Sequence, residues 1–119
     1  MLAVISPHLD DAVFGCGELI AARPGAVVIT VCAAVPPQSW TLPEWDAACG
    51  FSSARQALLA RRREDRSALE FLGADPCWLS CWDSQYRLPP PIDAVALRLA
   101  RALRRHPADT DDCRRRSAA

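Results

Sequence analysis

Residues 26 to 34 read AVVITVCAA, an apolar run interrupted only by Thr30 and rich in β-branched side chains. Such a run reads as a strand buried on both faces, the kind found in parallel sheets. Working back, Leu2 to Ile5 is a shorter run of the same character. Between them, Asp10 to Arg23 has the length of a helix, opens on two acidic residues that suit a helix N-terminus and stops at Pro24-Gly25. The three pieces make a βαβ unit. Working forward, Pro36 to Gly50 carries prolines and tryptophans and reads as a long loop with a helical turn around Leu42 to Ala48.

Phe51 to Leu72 predicts a long helix, because Phe51, Ala54, Leu58, Ala68, Leu69 and Leu72 fall on one stripe and Gly73 supplies a stop. Arg61 and Asp65 interrupt that stripe. Pro76 to Trp82 (PCWLSCW) reads as a third strand, followed by a loop through Pro89-Pro90-Pro91. Ile92 to Arg105 predicts another amphipathic helix with Val95, Leu99 and Leu103 in register. Residues 104 to 119 contain no Val, Ile, Leu, Met or aromatic residue, so a core cannot extend into them. The order β-α-β-loop-α-β-loop-α makes an α/β fold, an open parallel sheet with helices on both faces. The expected organisation is one partial domain over 1–105 and a disordered polar tail over 106–119.

The 119 residues carry 14 basic side chains, all Arg, against 14 Asp plus Glu, so the formal net charge is +0. That balance argues against a general nucleic-acid binder, whose footprint is a basic face. The apolar runs fall short of the roughly 18 residues a membrane span needs. Met1 to Ile5 has no basic n-region and meets Ser6-Pro7-His8 at once, unlike a signal peptide. A cytoplasmic location with reduced thiols is the expectation, several of the six cysteines lying in apolar runs where free Cys acts as a small hydrophobe.

Chemistry concentrates in Ser6-Pro7-His8-Leu9-Asp10-Asp11, directly after the first strand. In open α/β sheets, ligands bind beyond the carboxyl ends of strands, so this segment lies where a site is expected. An imidazole and two carboxylates this close can hold a divalent metal and still leave one carboxylate as a general base. The alternative makes Asp10 and Asp11 helix-capping acids and His8 a loop residue. Arg61, set in an apolar stripe, must either face a cavity or pair with Asp65 four residues on.

Pro7-His8-Leu9-Asp10-Asp11-Ala12-Val13-Phe14-Gly15-Cys16-Gly17 resembles the His-Pro-Asp-Asp-Glu signature of the PIG-L or LmbE-like family, zinc-dependent N-deacetylases of N-acetylglucosamine conjugates. Arg61 and Glu64, ahead of Leu72-Gly73, resemble the family's Arg-x-x-Glu helix, and Asp83 in Trp82-Asp83-Ser84-Gln85-Tyr86 matches an acid after its third strand. The resemblance implies a Rossmann-like fold cut short after the third strand and following helix. It implies that His8 and Asp11 ligate zinc, that Asp10 is the general base for a zinc-bound water, and that Arg61 and Asp83 contact the sugar. The implied partner is a small-molecule N-acetyl sugar conjugate; self-association is left open.

Two departures stand out. Leu9 and Ala12 replace the usual Pro and Glu, and neither position is a ligand. More seriously, the family draws its third zinc ligand from a later His-x-x-His-like segment, and no such segment occurs here. The remaining histidine, His106, is not expected to ligate. The sequence therefore also reads as the N-terminal part of a deacetylase altered by a frameshift or early stop near residue 110, or as an inactive sugar-binding or interaction module. Cys77 and Cys81 lack a matching pair for a zinc knuckle, and Gly15-Cys16-Gly17 lacks the third glycine of a dinucleotide loop. Trp40 and Trp45 are candidates for a sugar-stacking wall, whereas Trp78 and Trp82 suit core packing.

Overall fold

The computed structural model describes residues 2–88 and 90–105; the polar tail and His106 lie outside the described residues. The element order is β1 (Ala3–Ser6), α1 (Asp11–Ala21), β2 (Val27–Thr30), α2 (Glu44–Ala48), α3 (Ala54–Phe71), β3 (Asp75–Trp78) and α4 (Ile92–Arg105). The strands form one sheet in the order β1-β2-β3. Both pairings are parallel, with Ala3 opposite Val27 and Val27 opposite Asp75.

The buried β2 runs down the centre, so its side chains alternate between two covered faces. Val28 packs with Ala12 and Ile20 of α1 and Leu69 of α3, with Leu2 and Val4 alongside. Val27 and Ile29 point the other way and pack with Cys77 and Ala102 of α4, flanked by Leu79 and Leu99. Helices thus cover both faces, as the continuous apolar run of β2 requires. In α4 the buried line runs through Leu99 and Ala102, and Leu103 turns outward at 41% exposure, which corrects its expected register.

Local signals fix the element ends. Ser53 caps α3 by accepting the Gln56 amide at 3.0 Å, while Gln56 Oε1 accepts the Ser52 amide at 2.7 Å. At the other end the Ala74 amide donates to the Leu69 carbonyl and the Gly73 amide to Glu70, a Schellman stop. Gly73 has φ +74°, which that stop demands. Pairing continues past the strands, since Val31 donates to the Ser6 carbonyl, Cys32 to Pro7 and Leu79 to Thr30. These bonds hold the β1-α1 loop, the segment after β2 and the segment after β3 at one end of the sheet. Among the described residues no helix is long and apolar enough to cross a membrane.

Candidate active site

At that end lies a cavity of about 160 Å³ lined by His8, Leu9, Asp10, Cys32, Trp45, Leu58, Arg61, Asp83 and Gln85. Four of the five site residues expected from sequence border it, and Asp11 stands beside His8. A larger hollow of about 310 Å³ between β3 and α4 is lined by Arg98, Arg101 and Arg105 and no acid. The acid and imidazole groups converge on the smaller one.

The β1-α1 turn explains how the acids divide their work. Ser6, 2% exposed, supplies the α1 cap with its hydroxyl, which accepts the Ala12 amide at 3.2 Å and donates to the His8 carbonyl at 2.6 Å. The Asp11 carboxylate accepts the His8 amide at 3.0 Å and lies 3.4 Å from His8 Nδ1. Asp10 makes no side-chain cap bond. Neither acid caps a helical amide: the Asp11 carboxylate is turned back onto the His8 amide ahead of the helix, and Asp10 borders the cavity. Burial, reinforced by Glu64 and Asp11, pushes the Asp10 carboxyl above its ordinary range, with Arg61 pulling the other way.

Across the cavity, Asp83 Oδ1 lies 4.0 Å from His8 Nε2. The Asp83 carboxylate also accepts the Gln85 amide at 3.3 Å, closing a turn at the loop after β3. Cys32 sits nearby, its thiol held above the ordinary value by burial and then by Asp83 and Cys81. Gln85 Oε1 is buried with no hydrogen-bond partner among the described residues.

Arg61 faces the cavity but does not pair with Asp65. Its Nη2 donates to Asp46 Oδ1 at 2.6 Å and its Nη1 to the Tyr86 hydroxyl at 3.1 Å, while Tyr86 donates to Asp46 Oδ2 at 2.6 Å. Burial lowers the Arg61 pKa, yet the bond and charge of Asp46 together with Tyr86 outweigh it and the net shift is upward. Tyr86 is raised, by burial and then by Asp46. Asp46 and Tyr86 were not singled out from sequence; an acid on the short α2, fully buried, is visible only once α2 folds against α3.

The tryptophans divide otherwise than expected. Trp45, 68% exposed, lines the cavity mouth. Trp40 instead packs on Trp82 at a ring separation of 4.5 Å, with Arg87 over its other side at 4.1 Å. Trp78 is in the core, as expected.

His8 and Asp11 offer an imidazole and a carboxylate, a donor pair of the kind zinc accepts, where catalytic sites use three protein ligands. Among the described residues no three His, Cys, Asp or Glu side chains converge to hold a metal ion. The donor set fits zinc in kind and is incomplete in number.

Comparison with known proteins agrees with this geometry. The chain is 38% identical to the A40926 pseudoaglycone deacetylase Dbv21, with a TM-score of 0.60 over 72% of this chain and 38% of that one. It is 37% identical to a deacetylase solved in complex with teicoplanin, TM-score 0.64, covering 75% of this chain and 37% of that one. It is 36% identical to the zinc-inhibited form of teicoplanin deacetylase Orf2, TM-score 0.63, covering 73% and 35%. The chain thus spans less than two-fifths of the length of these structures. No curated protein matches. A family model described as PIG-L, GlcNAc-PI de-N-acetylase, matches residues 3–110, and the chain belongs to the PIG-L family.

Proposed function

We propose that this chain carries the β1-α1 acid turn and sugar-facing wall of a zinc-dependent N-deacetylase acting on an N-acetylated sugar conjugate. The observation that carries this reading is the convergence of His8, Asp10, Arg61 and Asp83 on one cavity at the carboxyl ends of parallel strands. His8 and Asp11 would hold the metal. Zinc, when bound, supplies Lewis-acid polarisation of an amide carbonyl and brings the pKa of water to about 7.

The side chains then share the remaining tasks. Asp10, bordering the cavity beside the two donors, takes the proton of the attacking water as general base. The same carboxylic acid, once protonated, returns a proton to the departing amine. Asp83 and Arg61 receive the sugar hydroxyls, and Trp45 presents an aromatic face at the mouth for the apolar side of the ring. Solved relatives named as an A40926 pseudoaglycone deacetylase and as a deacetylase in complex with teicoplanin favour a substrate larger than a free sugar.

A second reading, a sugar-binding or interaction module without turnover, draws on the described residues bringing no third donor to His8 and Asp11. Acetate release from an N-acetylglucosamine glycoside, assayed with and without added zinc, separates the two. Zinc-dependent release lost in both His8→Ala and Asp10→Asn is expected. Sugar binding without release, and no zinc uptake at micromolar metal, would establish the module instead.

A further inference from the structure

Gln85 Oε1 is a buried acceptor that the proposed reaction does not use and that no described residue partners. A carboxamide oxygen offers two lone pairs, and buried polar groups in folded proteins are almost always hydrogen-bonded. Leaving one empty costs the fold free energy, which a donor arriving with a ligand would return. The residue lines the cavity bordered by His8, Asp10, Arg61 and Asp83, so such a donor has a way in.

The backbone beneath it is fixed on both sides. Its own amide donates to Asp83 Oδ1 at 3.3 Å, and the amides of Tyr86 and Arg87 donate to the Asp83 carbonyl at 2.9 and 3.2 Å. Tyr86 is tied by its hydroxyl to Asp46 Oδ2 at 2.6 Å, and the Arg87 guanidinium lies 4.1 Å over the Trp40 ring. A turn anchored in this way has little freedom to swing Oε1 toward a protein donor.

Gln85 also lines a second hollow, of about 370 Å³, with Trp40, Thr41, Pro43 and Arg87. It therefore stands on the side of the cavity that adjoins this hollow. The cavity already carries the carboxyls of Asp10 and Asp83, and a neutral carboxamide adds an acceptor without a third negative charge. Hydroxyls, the donors a sugar ring carries in number, match that lining.

We propose that Gln85 is a specificity-determining residue of this cavity: its Oε1 accepts a hydroxyl of the N-acetylated sugar, so the site selects rings that carry a donor at the corner facing the second hollow. The assignment deepens the proposed function and rests on its sugar reading, though not on turnover.

NMR titration of the full chain with the methyl glycoside of N-acetylglucosamine, and with analogues that each lack one hydroxyl, tests the assignment. Wild type should bind at least one analogue about tenfold more weakly than the parent. Gln85→Met, which keeps the side-chain length and removes the acceptor, should bind the parent about tenfold more weakly and lose that one discrimination while keeping any others. Its urea midpoint should equal or exceed that of wild type, because no bond within the fold is broken. Equal binding of every analogue by wild type, or unchanged discrimination in Gln85→Met, overturns the proposal. So does a lower midpoint or a failure to fold, either of which would show that the carboxamide serves the fold. Wild type that binds sugar without releasing acetate defeats only the deacetylase reading, and the titration still decides for Gln85. Wild type that binds none of the glycosides overturns the sugar-facing wall and this assignment together.

Discussion

The Arg61 guanidinium meets the carboxylate of Asp46 at 2.6 Å, and Asp46 is fully buried. Tyr86 closes the triangle from the loop after β3. Three segments far apart in sequence, α2, α3 and the Asp83 turn, are thereby tied at the cavity wall.

Removing one partner of a buried pair strands the other, so Asp46→Ala should destabilise the protein by about 3 kcal/mol. Tyr86→Phe removes one hydroxyl from the same network and should lose about 1 kcal/mol. Urea unfolding of both variants checks the order; equal, negligible losses would mean the triangle does not hold the wall together.

The left-handed turn at Asp10 sets stability against chemistry. Asp10→Gly relieves the positive-φ penalty and removes a carboxyl that Glu64 and Asp11 repel. It should raise stability by about 1 kcal/mol while abolishing any acetate release. Thermal unfolding alongside the activity assay reads both effects, and a destabilised glycine variant would contradict the strain.

Asp65 gives stability a pH dependence of definite sign. Burial holds its carboxyl above the ordinary value of 3.8, the Trp78 bond opposing and the Asp10 charge adding to the rise. The folded state thus keeps the proton to higher pH than the unfolded chain. Its contribution is full below the unfolded value and is lost as pH rises through the folded one. Wild type should therefore gain stability relative to Asp65→Asn as pH falls from neutral toward 4, about the ordinary carboxylate value. Urea midpoints of the two proteins across that range check this, and a gap that narrows on acidification would reverse the sign.

Exposure separates the tryptophans. Trp45→Ala, at the cavity mouth, should change stability by less than about 0.5 kcal/mol yet weaken binding of the sugar conjugate. Trp40→Ala strips the packing on Trp82 and Arg87 and should be the more destabilising of the two. Melting temperatures and sugar titrations of both variants decide it.

Zinc offers a stability readout independent of turnover. A ligand at about 100 times its Kd stabilises the folded state by about 2.7 kcal/mol, so zinc should raise the Tm of wild type and leave His8→Ala and Asp11→Ala unmoved. Equal shifts in all three would place the metal elsewhere.

Much of this was legible in the chain itself. The run through Val27 to Thr30 has nowhere to go but the centre of a sheet, because neither face could tolerate water. Gly73 had to end α3, since the Schellman stop places it at φ +74°. The acid turn at His8 to Asp11 stood out because strand ends are where open sheets bind ligands. These are local properties, set by periodicity, backbone sterics and composition.

Only the tertiary structure decided which polar group answers which. Asp10 and Asp11 are adjacent and alike in sequence, yet Ser6 takes the helix end, the His8 amide takes the Asp11 carboxylate, and Asp10 is left bordering the cavity. Arg61 lay four residues from one acid and fifteen from another, and it chose the distant one because helical spacing brings Asp65 toward Trp78 instead. Asp46 and Tyr86 carried no local signature at all. Hydrogen bonds between buried charges depend on angles and separations that exist only after the loops close, and no sequence period encodes them.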